Sequence, residues 1–256
     1  MFFSIGNNEE LCNMKIIPLK EGNFSTSKTK DFTLLTHENI ETAKGIRMSV
    51  TPFLIITEKD TILLDAGIGW KNENGENVIS EILKAENIHP DQVTKVLLSH
   101  LHKDHIETTI TRTGSGFEAT FPNAEIHIQK RELDFALENK GNHSFDFDTL
   151  EKLIELDNIV WMDEDKGFIT DQISFEVVGG HTPFMQVFWI RENNETVFYG
   201  ADDLPQESYL KYHLAYKSDF DGRKAMELRL KWQKEALEKH WKILLYHDLE
   251  KAVLEF

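Results

Sequence analysis

Eleven residues, Lys95 to His105 (KVLLSHLHKDH), constrain this chain more than any other stretch. They begin as a short apolar run of strand character and end with three histidines and an aspartate inside six positions. On an extended segment leaving a strand, His100 and His102 are two apart and point the same way, while Asp104 and His105 follow where the chain turns. That spacing offers two groups of ligands. Neutral imidazole nitrogen and carboxylate oxygen are the donors that zinc and similar divalent ions take, with three protein ligands and an open position as the catalytic form. A histidine-rich surface loop is the plainer alternative. It loses ground because a flanking strand and distant partners are also present.

The 256 residues suffice for one large α/β domain or two small ones, and 40% hydrophobic content is ordinary for a globular core. A single cysteine, Cys12, excludes both an intramolecular disulfide and a zinc–thiolate site, and fits a reducing compartment. The N-terminus has no basic start, apolar run and small-residue cleavage site, and no later stretch is long enough to span a membrane, so a soluble, cytoplasmic protein is expected. With 28 Lys and Arg against 44 Asp and Glu, the formal net charge is −16. Such a surface repels a polyphosphate backbone, so nucleic acid polymers are poor partners, whereas a small-molecule substrate is compatible.

Residues 1–13 read as a loose polar tail, and Met14 to Leu19 as a strand. Lys20 to Asn39 reads as a loop or irregular arm. Ser49 to Asp65 has the pattern of a hairpin turning at Glu58, Lys59 and Asp60, which delivers Asp65 and Gly67 to a strand end. Asn77 to Asn87 carries a helical apolar face closed by Pro90. Thr108 to Glu118, rich in Thr, Gly and Ser, is expected to be a loop. A strand at Glu125 to Gln129 and a helix at Lys130 to Leu137 follow, and then a helix capped by Asp148 that runs through Leu156. From Ile159 the character is β again: IVWM, GFITDQISFEVVGG, and QVFWIREN joined to ETVFYGAD through an Asn193-Asn194 turn. Asp219 to Trp241 is the longest amphipathic stretch, with Ala225, Met226, Leu230, Ala236 and Leu237 on or near its apolar face. WKILLYHD closes the pattern with one strand. No repeat, low-complexity segment or Gly/Ser linker divides the chain, so residues 14–256 are expected to form one domain.

Further ligands stand at the ends of other expected strands. His181 follows EVVGG, where two glycines permit a tight turn; Asp202 and Asp203 follow VFYGA; His247 follows KILLY. These are positions where α/β sheets present functional groups.

At these residues the chain resembles the metallo-β-lactamase superfamily. HLHKDH is similar to its HxHxDH signature, GGHTP to its next histidine motif, and YGADD and YHD to its bridging aspartate and final histidine. LLDAGIG resembles the Asp-Gly strand end that opens the family's site. The similarity runs in order from about residue 50 to the C-terminus. It implies an α/β fold, a four-layer αββα sandwich with metals at one edge between two sheets. It gives His100, His102 and His181 to a first metal, and Asp104, His105 and His247 to a second. Asp202 is the expected bridge, because ADDLP resembles the ADLIP form of lactonase-like and organophosphate-hydrolase-like branches; Asp203 is the alternative. Asp65 is expected to orient a ligand histidine without binding metal. The chain departs from the family where GHTPGH becomes GHTPFM and where Ile106 and Glu107 replace small residues. Phe184 and Met185 are therefore candidate pocket residues, together with Tyr209, Tyr212, His213 and Tyr216, which follow the bridging aspartate.

Two divalent ions about 3.5 to 4 Å apart can hold a bridging hydroxide as nucleophile, and Asp104 is then expected to orient it or accept its proton. Neither GxSxG nor a cysteine near the motifs supports covalent catalysis. The expected activity is a binuclear hydrolase, with zinc ahead of iron or manganese, cleaving an ester, a lactone or a related small molecule. A phosphodiesterase and a single-iron oxygenase of the same fold are the alternatives, with a non-catalytic metal-stabilised binding protein behind them. Aromatics between Phe184 and Tyr216 are compatible with a homodimer.

Overall fold

The computed structural model describes residues 14–114 and 116–256. The tail expected at 1–13, including Cys12, lies outside the described residues.

Hydrophobic alternation builds the layers. In the hairpin Phe53–Ile56 and Thr61–Leu64, Phe53, Ile55, Ile62 and Leu64 join one buried cluster while Leu54 and Leu63 join another; Leu97 and Val96 divide the same way in Lys95–Leu97. A strand whose successive side chains enter different cores must be covered on both faces. These strands lie in a six-stranded sheet ordered Lys15–Pro18, Phe53–Ile56, Thr61–Leu64, Lys95–Leu97, Glu125–Gln129, Ile159–Met162. The first three are antiparallel and the rest parallel. One face packs on the helices Val78–Ala85, Lys130–Glu138 and Phe147–Leu153 through Ile79, Leu83, Leu133, Ala136, Leu150 and Leu153.

The other face meets a second six-stranded sheet, Lys166–Phe168, Ile173–Val177, Gln186–Glu192, Glu195–Tyr199, Lys242–Leu244 and Val253–Glu255. Tyr199 reaches across to Phe53, with centroids 6.2 Å apart, whereas its neighbour Phe198 packs at 4.9 Å on Trp232 of the helix Gly222–Lys239. Helices, sheet, sheet and helix make the αββα sandwich. A smaller sheet, Phe32–Leu34, Gly22–Thr26 and Ile46–Val50, lies beside it, and its Ser49 carbonyl meets the ring of His247.

Several sequence expectations need correction. Residues 20–39 are not an irregular arm, since they contain two strands in which Phe24 packs on Trp70 at 5.0 Å amid polar neighbours that hide the alternation. Thr108 to Glu118 is largely a hairpin, Ile110–Thr113 with Gly116–Ala119, and its exposed faces leave no apolar pattern to read. The following helix is capped by Asp146, which accepts from the Thr149 amide at 3.1 Å, and ends at Leu153; Asp148 instead pairs with Arg112 and Lys152. In Gly222–Lys239 the buried face is Ala225, Arg229, Trp232 and Ala236, a true helical spacing, whereas Leu230 and Leu237 are 49% and 57% exposed. The chain also adds the edge strand Val253–Glu255 after Lys242–Leu244. No helix among the described residues is long and apolar enough to cross a membrane.

Candidate metal centre

Five strands end at one rim, and each delivers a polar side chain there. Asp65 follows Thr61–Leu64, His100 follows Lys95–Leu97, His181 follows Ile173–Val177, Asp202 follows Glu195–Tyr199 and His247 follows Lys242–Leu244. His105 sits on the single helical turn Lys103–Ile106.

Two adjoining groups, one of His100, His102, His181 and Asp202 and the other of Asp104, His105 and His247, are joined by a third, Asp65, His100 and His105. His102 Nδ1 lies 3.0 Å from His100 Nε2 and 3.1 Å from His181 Nε2. Asp202 stands between the groups. Its Oδ2 is 3.2 Å from His181 Nε2, and its Oδ1 is 3.1 Å from His247 Nε2 and 3.3 Å from His105 Nε2. Asp203 points elsewhere. Its Oδ1 accepts from the His181 amide at 2.7 Å, beneath Gly180, where an added Cβ would lie 2.3 Å from that oxygen.

Outer hydrogen bonds set which ring nitrogen faces inward. His105 Nδ1 lies 2.7 Å from Asp65 Oδ2, His181 Nδ1 lies 2.8 Å from Asp219 Oδ1, and His247 Nδ1 lies 2.7 Å from the Ser49 carbonyl. Each therefore turns Nε2 to the centre. His100 does the same, with Nδ1 3.0 Å from Ser99 Oγ, so His102 alone presents Nδ1. Asp65 is occupied by donors on both oxygens: the Ser99 amide at 2.7 Å, the Ser99 hydroxyl at 2.7 Å and the Tyr199 hydroxyl at 2.5 Å, besides His105. Its backbone holds a left-handed φ of 54°, and Ala201, beside Asp202, has φ 42°.

Electrostatics separate the two neighbouring aspartates. Burial opposes ionisation of Asp202, but His247, His105 and His181 outweigh it and hold the carboxyl well below its ordinary range. Burial pushes Asp203 up to about 7 despite the attraction of His181. His100 and His102 are kept neutral chiefly by burial, then by neighbouring rings. For His105 and His181 burial also favours the neutral ring. There Asp202, with Asp65 for His105 and Asp219 for His181, prevails and raises the value.

The donor set fits a divalent ion. His105 Nε2 and Asp202 Oδ1 are buried without a hydrogen-bond partner, an arrangement that costs free energy unless a cation is shared between them. Imidazole and carboxylate donors suit zinc, iron or manganese. Above His102 and His181 opens a cavity of about 360 Å³ whose walls include Phe135 and Phe220. A larger cleft of about 590 Å³, lined by His89, Pro90 and Thr111 among others, contains none of these side chains.

The sequence-derived pocket residues are dispersed. Phe184 borders a separate surface cleft, its ring 5.2 Å from the Arg131 guanidinium. Met185 is fully buried in the core because the chain is entering Gln186–Glu192 there, and so it lines no pocket. Tyr212 and His213 are exposed at the end of the helix Ser208–Tyr212. Tyr209 is buried against Tyr216, with centroids 5.4 Å apart; burial pushes Tyr216 up to about 12, with Asp202 adding to the shift. Sequence reasoning missed Asp219, Ser99, Tyr199, Tyr246 and Glu132. Tyr246 stacks on His105 at 4.2 Å and donates to the Asp104 carbonyl at 2.6 Å. Glu132, fully buried, accepts from Thr182 Oγ1 at 2.9 Å and the Phe184 amide at 3.3 Å, which braces the loop of His181.

Comparison with known proteins agrees with this architecture. The family model of the metallo-beta-lactamase superfamily matches residues 45–231, and the chain belongs to that superfamily. No curated protein matches it in sequence. A probable metal-dependent hydrolase from Staphylococcus aureus superposes with a TM-score of 0.74 at 18% identity, over 94% of this chain and 92% of the other. AidC, a dizinc quorum-quenching lactonase, gives 0.70 at 21%, over 95% and 90%. The hydrolase AbOPH of the beta lactamase superfamily gives 0.69 at 22%, over 94% and 89%. At these identities the likeness is one of fold.

Proposed function

We propose that the protein is a hydrolase with two divalent metal ions, zinc in the first place, that cleaves an ester, a lactone or a related small molecule. The observation that carries this reading is the stance of Asp202, one oxygen toward His181 and the other toward His105 and His247. A carboxylate so divided serves as a bridge between two sites. His100, His102 and His181 would hold one ion, and Asp104, His105 and His247 the other. When bound, such a pair supplies Lewis acidity and makes water a nucleophile near neutral pH. Asp104 is the most open of the carboxylates at the rim, its side chain 13% exposed. It orients the attacking water and takes its proton, and the hydroxyl of Tyr246 on its carbonyl fixes its backbone. Asp65 and Asp219 hold the rings of His105 and His181 in the tautomer whose Nε2 faces inward. The neighbours named as lactonases favour carboxylic esters and lactones.

Elemental analysis of protein purified without added metal, with turnover of lactones, aryl esters and phosphoesters, tests the proposal. Two divalent ions per chain and turnover that His102→Ala abolishes, in a variant with an unchanged circular dichroism spectrum, are expected. A single iron per chain, or full turnover in His102→Ala, would overturn it.

A further inference from the structure

The cavity above His102 and His181 differs in its lining from this acidic chain as a whole. No Asp or Glu lines it, in a chain carrying 44 of them, whereas Lys28, Lys30 and His143 do. Both lysines stand in the turn between Gly22–Thr26 and Phe32–Leu34. That turn is closed without using them. Asp31, the acid nearest in sequence, spends its carboxylate on the hydroxyls of Thr29, at 2.5 Å, and Ser27, at 3.2 Å, and the Ser27 hydroxyl accepts from the Thr29 amide at 3.1 Å. Neither lysine forms an ion pair among the described residues. Lys30 also holds a left-handed φ of 57°, a conformation that glycine or asparagine adopts more cheaply. Lys30 lines the same cavity as His102 and His181.

We propose that Lys28 and Lys30 bind an anionic group, a carboxylate or a phosphate, on the part of the substrate remote from the scissile bond. The substrate is then an acidic small-molecule ester or lactone. This rests on the hydrolase reading for its reaction but not for its binding site. On an acidic surface, a mouth lined by two lysines and by neutral polar side chains draws anions in, while the acidic remainder repels them. Two lysines at the rim, partly in water, are expected to contribute about tenfold in selectivity, screened by salt.

The test compares 4-nitrophenyl butyrate with the mono-4-nitrophenyl ester of glutaric acid and with a phosphate-bearing ester of similar length. The metal-replete wild type and the double variant Lys28→Gln/Lys30→Gln are assayed at low and high salt, and glutarate and inorganic phosphate are titrated calorimetrically into both. The wild type should prefer a charged ester in kcat/KM by about tenfold, through KM, and salt or the double substitution should erase that preference. Preference for the carboxylate ester over the phosphate ester, or the reverse, assigns the anion. A neutral preference, or a charged preference that survives the double substitution, overturns the inference. If no ester is cleaved, the hydrolase reading has failed and the titrations decide alone. Binding weakened about tenfold in the double variant supports the anion site, and equal or undetectable binding in both proteins refutes it.

Discussion

Replacing Glu132 by glutamine should remove part of the pH dependence of stability. The carboxyl is wholly enclosed beneath the His181 loop, one oxygen accepting from Thr182 and Phe184 while the other has no partner, and burial pushes its pKa from 4.5 up to about 7. The unfolded chain gives up this proton near pH 4.5, whereas the folded protein keeps it until about pH 7. Between those values the native state binds more protons, so its stability falls as pH rises and levels off above the folded pKa. At 1.36 kcal/mol per unit, the loss amounts to about 3 kcal/mol. Glutamine copies the protonated acid at every pH. Its amide adds a constant cost of about 1 kcal/mol for an unpaired donor, which cancels between two pH values. Urea unfolding of both proteins at pH 5.0 and 8.5, with chelator present so that metal uptake adds no pH dependence of its own, measures the difference. Relative to wild type, Glu132→Gln should gain about 3 kcal/mol on going to the higher pH. A change below about 1 kcal/mol, or of opposite sign, would show that the carboxylate is ionised in the folded protein and that its burial is compensated.

Other substitutions separate metal binding from folding. Asp202→Ala should reduce the metal content of the purified protein sharply, whereas Asp203→Ala should leave it near wild type and lower stability by about 1–3 kcal/mol, since it strips the His181 amide of its acceptor. Asp219→Asn should weaken metal binding about 10- to 100-fold in chelator competition, because Asp219 Oδ1 supports His181 while Oδ2 accepts from the Tyr216 amide at 2.8 Å. Gly180→Ala should cost about 1–3 kcal/mol in denaturant unfolding, since its methyl group would meet the Asp203 carboxylate.

Legibility in the sequence followed the range of the interaction. HLHKDH was readable because its three histidines and aspartate lie within six positions, and the hairpin before it because apolar residues bounded a charged turn. His181, Asp202 and His247 were readable as strand ends, which the structure brings to one rim. Asp219 was not. Nothing near it marks it, and only the folded chain sets it 2.8 Å from a ring 38 residues away. Lys28 and Lys30 were lost in a stretch whose strands bury few apolar side chains, so neither strand nor turn left a pattern. Met185 misled because a motif departure suggested a role at the site, whereas the residue begins a core strand. Leu230 and Leu237 misled in the opposite way: residue type pointed inward, and the true spacing buried Arg229 and Trp232 instead.

The position of His247 orders events during synthesis. Its ring is anchored on Ser49, 198 residues earlier, and its strand pairs in parallel with Glu195–Tyr199. A ribosome that has just released residue 105 has exposed His100, His102, Asp104 and His105 without His181, Asp202 and His247, which complete their groups, and contacts of such separation form slowly. A nascent chain can therefore hold an ion only loosely through its early histidines. On the proposed two-ion reading, the second group lacks a donor until the Lys242–Leu244 strand docks and brings in His247.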